Sequence, residues 1–371
     1  MPDASYRLYF GSAPATREQM AMVDSVQVDC AMGLAAEAEL RLPVGIDDQG
    51  YWSVFEEAFA APLARIRVEA RIGSGDYVPL IDGPVVGQKF ELSAGPGSSQ
   101  AVLTVQDDGA LLNREEKVEV YEEQEDADVA QALIAEAGLE ADLDGIPASG
   151  AALGRVVVRR GTAMQLLREL ATRHGLFAYV APGDAPGASV VRLKRPDLSP
   201  SGYPDLLLTG PDRNLSAFQA RFDALKPFTA QAGGVQVADV SALTSLKSAS
   251  SQSPLGATAV LDLLQPPAAM LLARTREEQA DLDEAAQARV DLSTWAYSAT
   301  AEVVAGTYNT VLEPYRTIRV RGVGGHLSGD WLISRVVHVL DARSYAQKLT
   351  LRRNARSAGA GGASGLPGGV F

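Results

Sequence analysis

The alternation of apolar and polar residues along the chain predicts a structure built mostly from short β-strands. A period of two indicates a strand with one face buried, and it recurs between glycine-marked turns. In the first part of the chain the predicted strands cover residues 6–10, 25–32, 36–42, 64–72, 77–86, 88–92 and 100–107. After an interruption, strands are predicted again at 176–180, 188–193, 217–224, 233–240, 298–306, 317–323, 331–341 and 345–352.

Segments with a helical period are fewer. Residues 51–61 (YWSVFEEAFAA) place Trp52, Phe55 and Phe59 on one face and predict a short helix. Residues 126–138 predict an amphipathic helix closed by a glycine, and residues 274–294 predict a long acidic one.

The clearest local signal lies at residues 162–180, TAMQLLRELATRHGLFAYV. Thr162 followed by Gln165 three residues later predicts a capping box that opens a helix. The helix has one wide apolar stripe, formed by Met164, Leu166, Leu167, Leu170 and Ala171. Gly175 suits the left-handed residue that commonly ends a helix, and the strand predicted at 176–180 follows. A helix that runs directly into a strand, without a catalytic-looking residue between them, indicates a packing unit.

These patterns predict an α+β, mostly β protein with a central α/β insert. We assign residues 1–125 to a first antiparallel β-barrel and 126–200 to the insert. Residues 201–294 form a crossing segment with strands and a long helix, in which 241–267 has no clear period and is expected to be irregular. Residues 295–355 form a second β-rich domain. The remaining residues, 356–371, are glycine-rich and are expected to be flexible unless a partner holds them.

Composition changes this picture in one respect. The chain has 33 basic and 46 acidic side chains and a formal net charge of −13. Surfaces that bind nucleic acid neutralise phosphates with lysine and arginine, so this balance argues against nucleic-acid binding as the main function. The N-terminus lacks the pattern of a signal peptide, and no apolar run approaches the roughly 18 residues of a membrane span. We therefore expect synthesis in the cytoplasm, with any export occurring as part of a particle.

Cysteine and histidine usage excludes several kinds of site. Cys30 is the single cysteine, which excludes an internal disulfide and a cysteine-based zinc cluster, and its apolar neighbours indicate a small buried side chain. His174, His326 and His338 lack a metal-binding spacing. We expect His174 at a helix C-terminus, where positive charge is favourable, and His338 in a strand with its ring hydrogen-bonded. No metal or other cofactor is expected.

Acidic clusters are the candidates for catalysis. Glu56 and Glu57 are adjacent, and a second cluster consists of Glu122, Glu123, Glu125 and Asp126. A glycosidase needs two carboxylates on either side of the scissile bond, whereas charge runs usually form solvated faces. The chain also lacks a G-x-S-x-G motif for acyl transfer. We therefore predict no catalytic residues.

Two glycine clusters superficially resemble phosphate-binding loops. Gly359, Gly361 and Gly365 do not connect a strand to a helix, so this motif fails its structural test. The cluster from Gly322 to Gly325 leads from one predicted strand into another, which predicts a hairpin connection.

Two segments resemble one known family. The capped helix, the sequence R-H-G-L-F and the following strand at 162–180 are similar to the hub portion of VgrG proteins and of phage late control protein D, which are trimeric baseplate hubs of contractile tails. The segment from Ile318 to Arg352, with Trp331, His338 and Tyr345 at the family's spacing, resembles the closing part of the D-type hub. The resemblance covers about residues 1–355. A full VgrG continues into a neck and a spike, so this chain is more similar to the split, D-like arrangement.

The resemblance implies a non-enzymatic hub with two tube-like barrels per subunit. Three subunits would offer six barrels, which match a six-fold inner tube on one side and a three-fold spike on the other. The implied partners are further copies of the chain in a homotrimer, the inner tube protein, a separate spike protein, baseplate wedge proteins, and a tape measure or cargo. The implied location is a phage tail or a phage-tail-like injection particle. Two alternatives stay open: a cell-wall carbohydrate-degrading enzyme at the tail tip, and a tail adhesin component.

The C-terminal tail is the candidate for spike attachment. Glycine has no Cβ, so a glycine-rich chain can follow a narrow path along a neighbouring backbone. The candidate spike-docking residues are the apolar ones at its end, Leu366, Pro367, Val370 and Phe371. Three such ends around one axis would strengthen a weak contact through effective concentration. The alternative is a frayed terminus.

Overall fold

The structure, a computed structural model, describes residues 4–46, 48–55, 57–95, 97–147, 156–235, 240–272, 279–304, 306–341 and 344–359. Strands dominate these residues, which confirms the α+β, mostly β fold class. In chain order the strands are β1 Ala4–Phe10, β2 Ala13–Pro14, β3 Ser25–Ala31, β4 Glu37–Pro43, β5 Arg65–Ile72, β6 Val78–Glu91, β7 Gln100–Gln106, β8 Glu116–Glu122, β9 Glu140–Asp142, β10 Val156–Thr162, β11 Phe177–Pro182, β12 Ser189–Lys194, β13 Leu206–Leu207, β14 Leu215–Phe222, β15 Phe228–Val235, β16 Ala242–Lys247, β17 Thr258–Ala259, β18 Ala268–Leu272, β19 Tyr297–Val303, β20 Thr317–Arg321, β21 Gly329–Asp341, β22 Tyr345–Arg353 and β23 Ala355–Arg356.

Helices are short and lie mainly in the middle of the chain. They are α1 Arg17–Ala21, α2 Gly109–Leu112, α3 Asp126–Glu136, α4 Ala163–Arg173 and α5 Gln279–Ser293, with 3-10 turns at Ala58–Ala60 and Val260–Leu263. The helix predicted at 126–138 is therefore confirmed. Of the helix predicted at 274–294, the structure describes α5, and residues 273–278 lie outside the described ranges.

One continuous sheet runs through both β-rich parts of the chain. Its strand order is β14-β19-β22-β21-β3-β4-β7-β6-β5-β1-β2, and β20 with β13 extends it beside β21. The two parts meet where β21 pairs antiparallel with β3, from Arg335 opposite Ala31 to Asp341 opposite Ser25. Segments about 300 residues apart along the chain thus share one hydrogen-bonded ladder.

The alternating pattern places one face of this sheet in the core. In β3, Val26, Val28 and Cys30 are buried, while the residues between them lie on the other face. The same alternation puts apolar residues of β4 and β7 beneath the N-terminal strands, and those of β19, β21 and β22 beneath the C-terminal strands. The insert has a separate core around α3 and α4. The division of the chain into five domains with the boundaries given above stays a prediction.

Helix α4 forms as the sequence predicts. The Gln165 amide donates to Thr162 Oγ1 at 3.2 Å, and the Thr162 amide donates to Gln165 Oε1 at 2.9 Å, so both halves of the capping box are present. The whole predicted apolar stripe is buried. Gly175 follows the helix with φ +67°, where a side chain would be strained, and β11 follows it directly.

The helix predicted at 51–61 is wrong. The segment is a loop with one 3-10 turn, and its aromatic residues pack onto different strands. Phe55 stacks on Phe90 of β6 with ring centroids 4.2 Å apart, and Phe59 stacks on Phe10 of β1 at 4.1 Å. Tertiary packing of the aromatic rings therefore produces a spacing that resembles a helical stripe.

Two segments contain more regular secondary structure than the sequence predicts. Residues 241–267 contain β16, β17 and a 3-10 turn rather than an irregular crossing. Beyond β22, Asn354 and Ala355 are buried, and Arg356 pairs with Thr258. Arg356, the first residue of the predicted glycine-rich tail, is therefore part of the fold as the end of β23.

The sequence analysis missed the ribbon formed by β8 and β10. β8 ends at Glu122, the first residue of the second acidic cluster. It pairs antiparallel with β10, from Glu122 opposite Val156 to Glu116 opposite Thr162. The strands predicted at 77–86 and 88–92 are one long strand, β6, with a register shift between Val85 and Gly87. The strand predicted at 233–240 overlaps β15 only at 233–235, and residues 236–239 lie outside the described residues. The other predicted strands are present, with ends shifted by a few residues.

Candidate functional site

The solvent-facing side of the continuous sheet is a broad polar surface. We call it the polar sheet face and define it as the outward positions of the eight adjacent strands β14, β19, β22, β21, β3, β4, β7 and the end of β6. Its charged residues are six basic ones, Arg41, Lys89, Arg221, Arg335, Lys348 and Arg352, and six acidic ones, Asp29, Glu37, Glu39, Glu91, Glu302 and Asp341. This face is charge-balanced, although the whole chain carries −13.

Ion pairs between neighbouring strands or along one strand hold many of these charges. Arg335 Nε lies 2.7 Å from Asp29 Oδ1, which bridges β21 and β3. Lys348 lies opposite Glu302 with Nζ and Oε1 3.4 Å apart, which bridges β22 and β19. Each exposed pair adds little stability, but pairing leaves few charges free to bind a ligand of either sign.

A shallow groove of about 370 Å³ crosses the polar sheet face over β14, β19, β22 and β21. Gln219, Thr300, Glu302, Arg335 and Lys348 are among the residues that line it. Small polar and mutually paired side chains leave this groove without an extended apolar patch.

A buried ionic network attaches the insert to the N-terminal strands. Arg67 of β5 is 1% exposed, and its guanidinium donates to the carbonyl oxygens of Gly183 at 2.8 Å and Ala185 at 3.1 Å. The same guanidinium forms ion pairs with Glu69 at 2.7 Å and Asp82 at 3.3 Å. Buried charges are tolerated when they are paired and hydrogen-bonded in this way.

Arg65 extends the network to the start of α2. Its two terminal nitrogens donate to the two carboxylate oxygens of Asp108 at 3.0 and 2.6 Å, and Nε donates to Asp82 at 2.7 Å. The Gly187 amide also donates to Asp82, at 2.9 Å. Residues 182–186 form the connection between β11 and β12. It is a hairpin, and its backbone is also the anchor of the insert.

A cleft of about 370 Å³ lies where the N-terminal strands, the insert and the loop before β20 meet. Tyr179 and Tyr315 stack in it with ring centroids 4.0 Å apart, and Cys30 and His338 lie among its lining residues. Burial raises the pKa of the Cys30 thiol and lowers the pKa of His338 to about 3, so the thiol stays protonated and the imidazole stays neutral. The His338 ring is 2.7 Å from the Tyr345 hydroxyl. The predicted buried cysteine and hydrogen-bonded strand histidine are confirmed.

His174 joins three helices. Its Nε2 is 2.8 Å from Asp126 Oδ2 at the start of α3, and its Nδ1 is 2.8 Å from Glu284 Oε1 on α5. Among the described residues, Nδ1 has no hydrogen-bond partner, so its interaction with Glu284 is an electrostatic attraction. Burial would lower the pKa of His174, but the two carboxylates outweigh it and raise the pKa. His174 caps α4 as predicted, and it also connects the insert to α5.

The acidic clusters do not form a facing pair of carboxylates in the parts that the structure describes. Asp126 is buried against Arg173 and His174, which gives it a structural role. Glu122 lies at the end of β8, and Glu57 begins a 3-10 turn. Glu56 lies outside the described residues. Within the described ranges, three or more His, Cys, Asp or Glu side chains nowhere gather as metal ligands would.

The remaining candidates are placed as follows. Gly322 to Gly325 lie between β20 and β21, which are antiparallel neighbours, so the predicted hairpin is confirmed. Gly359 lies beside the His326 ring, and Gly361 and Gly365 are outside the described residues. The candidate spike-docking residues Leu366, Pro367, Val370 and Phe371 are also outside them.

In the described part of the chain, no helix has both the length and the apolar character needed to cross a membrane.

Comparison of the sequence with known protein families identifies the family of this chain. The profile of the family described as Alg8 N-terminal domain matches residues 12–342. The chain belongs to this family. The match includes the insert and the junction of β3 with β21, and it ends before β22. Among curated proteins, none matches the sequence.

Solved structures of tail proteins share this Alg8 N-terminal domain fold. The 43 kDa tail protein of prophage MuSo2 from Shewanella oneidensis matches with a TM-score of 0.64 and 13% identity, over 95% of this chain and 99% of that one. A tail protein from Neisseria meningitidis MC58 matches with a TM-score of 0.64 and 14% identity, over 95% and 96% of the two chains.

A third similar structure is the c3393 protein of E. coli, a type VI secretion system component described as structurally similar to the T4 bacteriophage tail proteins gp27 and gp5. Its TM-score is 0.54 at 12% identity, over 95% of this chain and 76% of that one. At such low identities the similarity shows a shared fold.

The sequence analysis did not find the polar sheet face or the Arg67 network, because both depend on which strands become neighbours.

Proposed function

We propose that the chain is a structural hub subunit of a contractile phage tail or a phage-tail-like injection system. In this proposal three copies form a ring that adapts the six-fold inner tube to the three-fold spike. The protein acts by assembly and by providing a channel, without catalysis.

The observation that carries the proposal is the charge-balanced polar sheet face. Eight neighbouring strands present one uninterrupted surface, and a surface of this kind suits the wall of a channel because it offers cargo neither an extended apolar patch nor a net charge. In the ring the polar sheet face lines the channel. Its groove across β14, β19, β22 and β21 lies on the path of the cargo.

The ends of the sheet support closure of a ring. Within the described residues, β14 has a neighbour on one side only, β19. A free strand edge presents unpaired backbone groups that a neighbouring copy can cover. Where the rotation between successive copies closes, a head-to-tail contact of this type forms a ring and leaves no exposed end.

The proposed partners follow from the ring. One side meets the inner tube protein, and the other meets a separate spike protein, while baseplate wedge proteins surround it. A tape measure or cargo occupies the channel. The fold shared with tail proteins and with a type VI secretion component supports this setting. We further propose that the tail, with Leu366, Pro367, Val370 and Phe371, docks into the spike.

Electron microscopy tests the proposal directly. Negative-stain class averages of the purified chain at high concentration, and of the assembled particle, should show a three-fold ring around an open channel. A two-fold or six-fold copy number in the particle would contradict the hub.

Glu57→Gln tests the alternative of an enzyme. The assembly and any lytic activity of the particle should be unchanged in this variant, and loss of lysis would favour the enzyme.

A further inference from the structure

The cleft between the N-terminal strands, the insert and the loop before β20 has the properties of a ligand site. We call it the tyrosine cleft, after the stacked rings of Tyr179 and Tyr315 that line it. Its volume of about 370 Å³ lies within the range of small-molecule pockets. Its buried lining residues, which form the floor, include Cys30, Leu80 and Leu312. The tyrosines and this floor together offer an apolar body a surface to pack against.

The titratable groups of the floor carry little charge at neutral pH. Burial lowers the pKa of His338 to about 3 and raises the pKa of the Asp107 carboxyl to about 7. Both oxygens of Asp107 are already used, one by the Ala36 amide at 2.6 Å and the other by the Gly109 amide at 2.8 Å. The floor therefore suits the uncharged part of a ligand.

Three arginines that line the cleft are loosely held. The ion pair of Arg316 with Asp197 spans 3.8 Å, and the two side chains are 52% and 54% exposed. Among the described residues, Arg192 Nε has no hydrogen-bond partner, and its ion pair with Asp142 spans 3.6 Å. Arg195 is exposed and donates to a neutral backbone carbonyl oxygen at 3.2 Å. Since charge-assisted hydrogen bonds are shorter than these ion pairs, the three guanidinium groups are available to a further anion.

The other charged groups of the lining have close partners. Lys194 Nζ lies 2.6 Å from a carboxylate oxygen of β9. Asp197 accepts from the amide and the hydroxyl of Ser199 at 2.9 and 2.6 Å, and Glu313 accepts from the Tyr203 hydroxyl at 3.3 Å. The cleft thus combines available cations with engaged carboxylates, although the whole chain carries −13.

We propose that the tyrosine cleft binds a small aromatic anion, that is, a flat ring system with one carboxylate, sulfonate or phosphate group. The rings pack against the tyrosines and the apolar floor, and the anionic group meets the arginines. Guanidinium groups suit this task because they present paired N–H donors to such anions. Tyr179 lies directly opposite Arg192 across β11 and β12, and Tyr315 precedes Arg316. Each stacked ring therefore has a cation close to it, and the site is independent of the hub assembly.

A ligand in this position connects three parts of the protein. It contacts the N-terminal strands at Leu80, the insert at Arg192 and the loop before β20 at Arg316. Because these parts separate on unfolding, the ligand binds the folded protein and raises its melting temperature. The Gly33 amide donates to the Tyr315 hydroxyl at 2.8 Å, so its hydrogen exchange reports on the cleft directly.

Two fluorescent probes that differ in charge test the site in the full chain. Anilinonaphthalene sulfonate carries the proposed anionic group on an aromatic body, and phenylnaphthylamine is the same ring system without the sulfonate. The sulfonate probe should bind saturably and about tenfold or more tighter than the neutral probe, because it gains charge-assisted hydrogen bonds. It should also raise the melting temperature and slow the exchange of the Gly33 amide.

The double variant Arg195→Gln and Arg316→Gln tests the role of the arginines. It should weaken binding of the sulfonate probe about tenfold or more and leave binding of the neutral probe unchanged. The matched control is Arg221→Gln, since Arg221 is 79% exposed on β14 and its ion pair with Asp223 spans 3.9 Å. All these positions are exposed, so the melting temperatures without probe should equal that of the wild type.

Leu34→Glu provides a second test that removes no arginine. Leu34 lines the cleft and is 61% exposed, so the new carboxylate competes with the sulfonate for the arginines without disturbing the core. The control is Leu225→Glu, at an 89% exposed position in the turn before β15. Leu34→Glu should weaken binding of the sulfonate probe, whereas Leu225→Glu should leave it unchanged.

Three results would overturn the proposal. Equal affinity of the wild type for the two probes would mean that the site does not select an anion. Unchanged sulfonate binding in both the double arginine variant and Leu34→Glu would place the probe elsewhere on the protein. Saturable binding without slower exchange at the Gly33 amide would likewise exclude the tyrosine cleft.

Discussion

The buried guanidinium of Arg67 donates a 2.8 Å hydrogen bond to the carbonyl oxygen of Gly183, 116 residues further along the chain. This bond connects the N-terminal strands to the backbone of a hairpin loop in the insert. Glu69 and Asp82 complete the environment of the guanidinium.

Arg67→Met should lower the free energy of unfolding by about 3 kcal/mol or more, because it removes a buried cation that pairs with two buried carboxylates, Glu69 and Asp82. The Gly187 amide, which donates to Asp82, should exchange its hydrogen faster in the variant. Chemical denaturation and hydrogen exchange measure the two effects.

Arg41→Met is the control for Arg67, since Arg41 forms an ion pair with Glu39 at 3.3 Å and both side chains are substantially exposed. It should cost less than about 1 kcal/mol. Adding Asp82→Asn to Arg67→Met should restore part of the loss. If the two arginine variants proved equally stable, the anchoring role would be refuted.

Val336→Ala tests the junction between β21 and β3. Val336 is fully buried and lies opposite Cys30, so the substitution should cost about 2 kcal/mol. Because both β-rich parts share this ladder, hydrogen exchange should increase in strands on both sides of the junction. The control is Val337→Ala, on the polar sheet face, with a cost within about 0.5 kcal/mol. Destabilisation confined to the C-terminal strands would show that the two parts fold independently.

His174 makes the attachment of α5 to the insert dependent on pH. The groups that face it are Asp126 from α3, Glu284 from α5 and the neighbouring Arg173 of α4. Its pKa in the folded protein is raised above the ordinary value of about 6.5. The protonated ring is therefore favoured in the folded state, so its stabilising contribution is complete below about pH 6.5 and is lost as the pH rises through the folded pKa.

Denaturant unfolding measured over this pH range should show that loss in the wild type. His174→Gln should remove this component of the pH dependence, and the ring titration followed by NMR should give a pKa above that of an unfolded peptide. A folded pKa below the peptide value would contradict the prediction.

Deletion of residues 360–371 tests the tail. The deletion begins after Arg356, which pairs with Thr258, and after Ser357, whose hydroxyl accepts from Arg353 at 2.6 Å. The unfolding transition should therefore be unchanged, while co-purification of the spike should be lost. A variant that lacks only residues 361–364 keeps the apolar end and should retain the spike. Normal spike retention by the longer deletion would identify the tail as a frayed terminus.

Local features were predictable from the sequence where local interactions determine them. The capping box of Thr162 and Gln165, the apolar stripe of α4 and the left-handed Gly175 all depend on neighbours within a few residues. Strands such as β3 were predictable because a half-buried strand repeats every two residues. The resemblance to tail hubs also pointed to a fold that the solved tail proteins share.

Features that depend on distant partners were not predictable. Arg67 and Glu69 alternate with apolar residues in β5, a pattern typical of a solvent-exposed side, but the hairpin loop of the insert covers that side. The aromatic residues at 51–61 mimic a helix because their separate partners, Phe10 and Phe90, are remote in sequence. The sequence signal that indicates a buried ion pair in β5 is the presence of two opposite charges, two residues apart, beside a long apolar run.

The antiparallel ladder between β3 and β21 also determines how the subunit responds to mechanical load. It extends over seven residue pairs, from Arg335 opposite Ala31 to Asp341 opposite Ser25. A pull along the strands loads these hydrogen bonds in shear, so they share the force and must break together. A pull across the strands would instead open them one after another. The subunit therefore resists sliding of its two halves past each other, and a thrust applied along these strands is transmitted through the protein with little internal yielding.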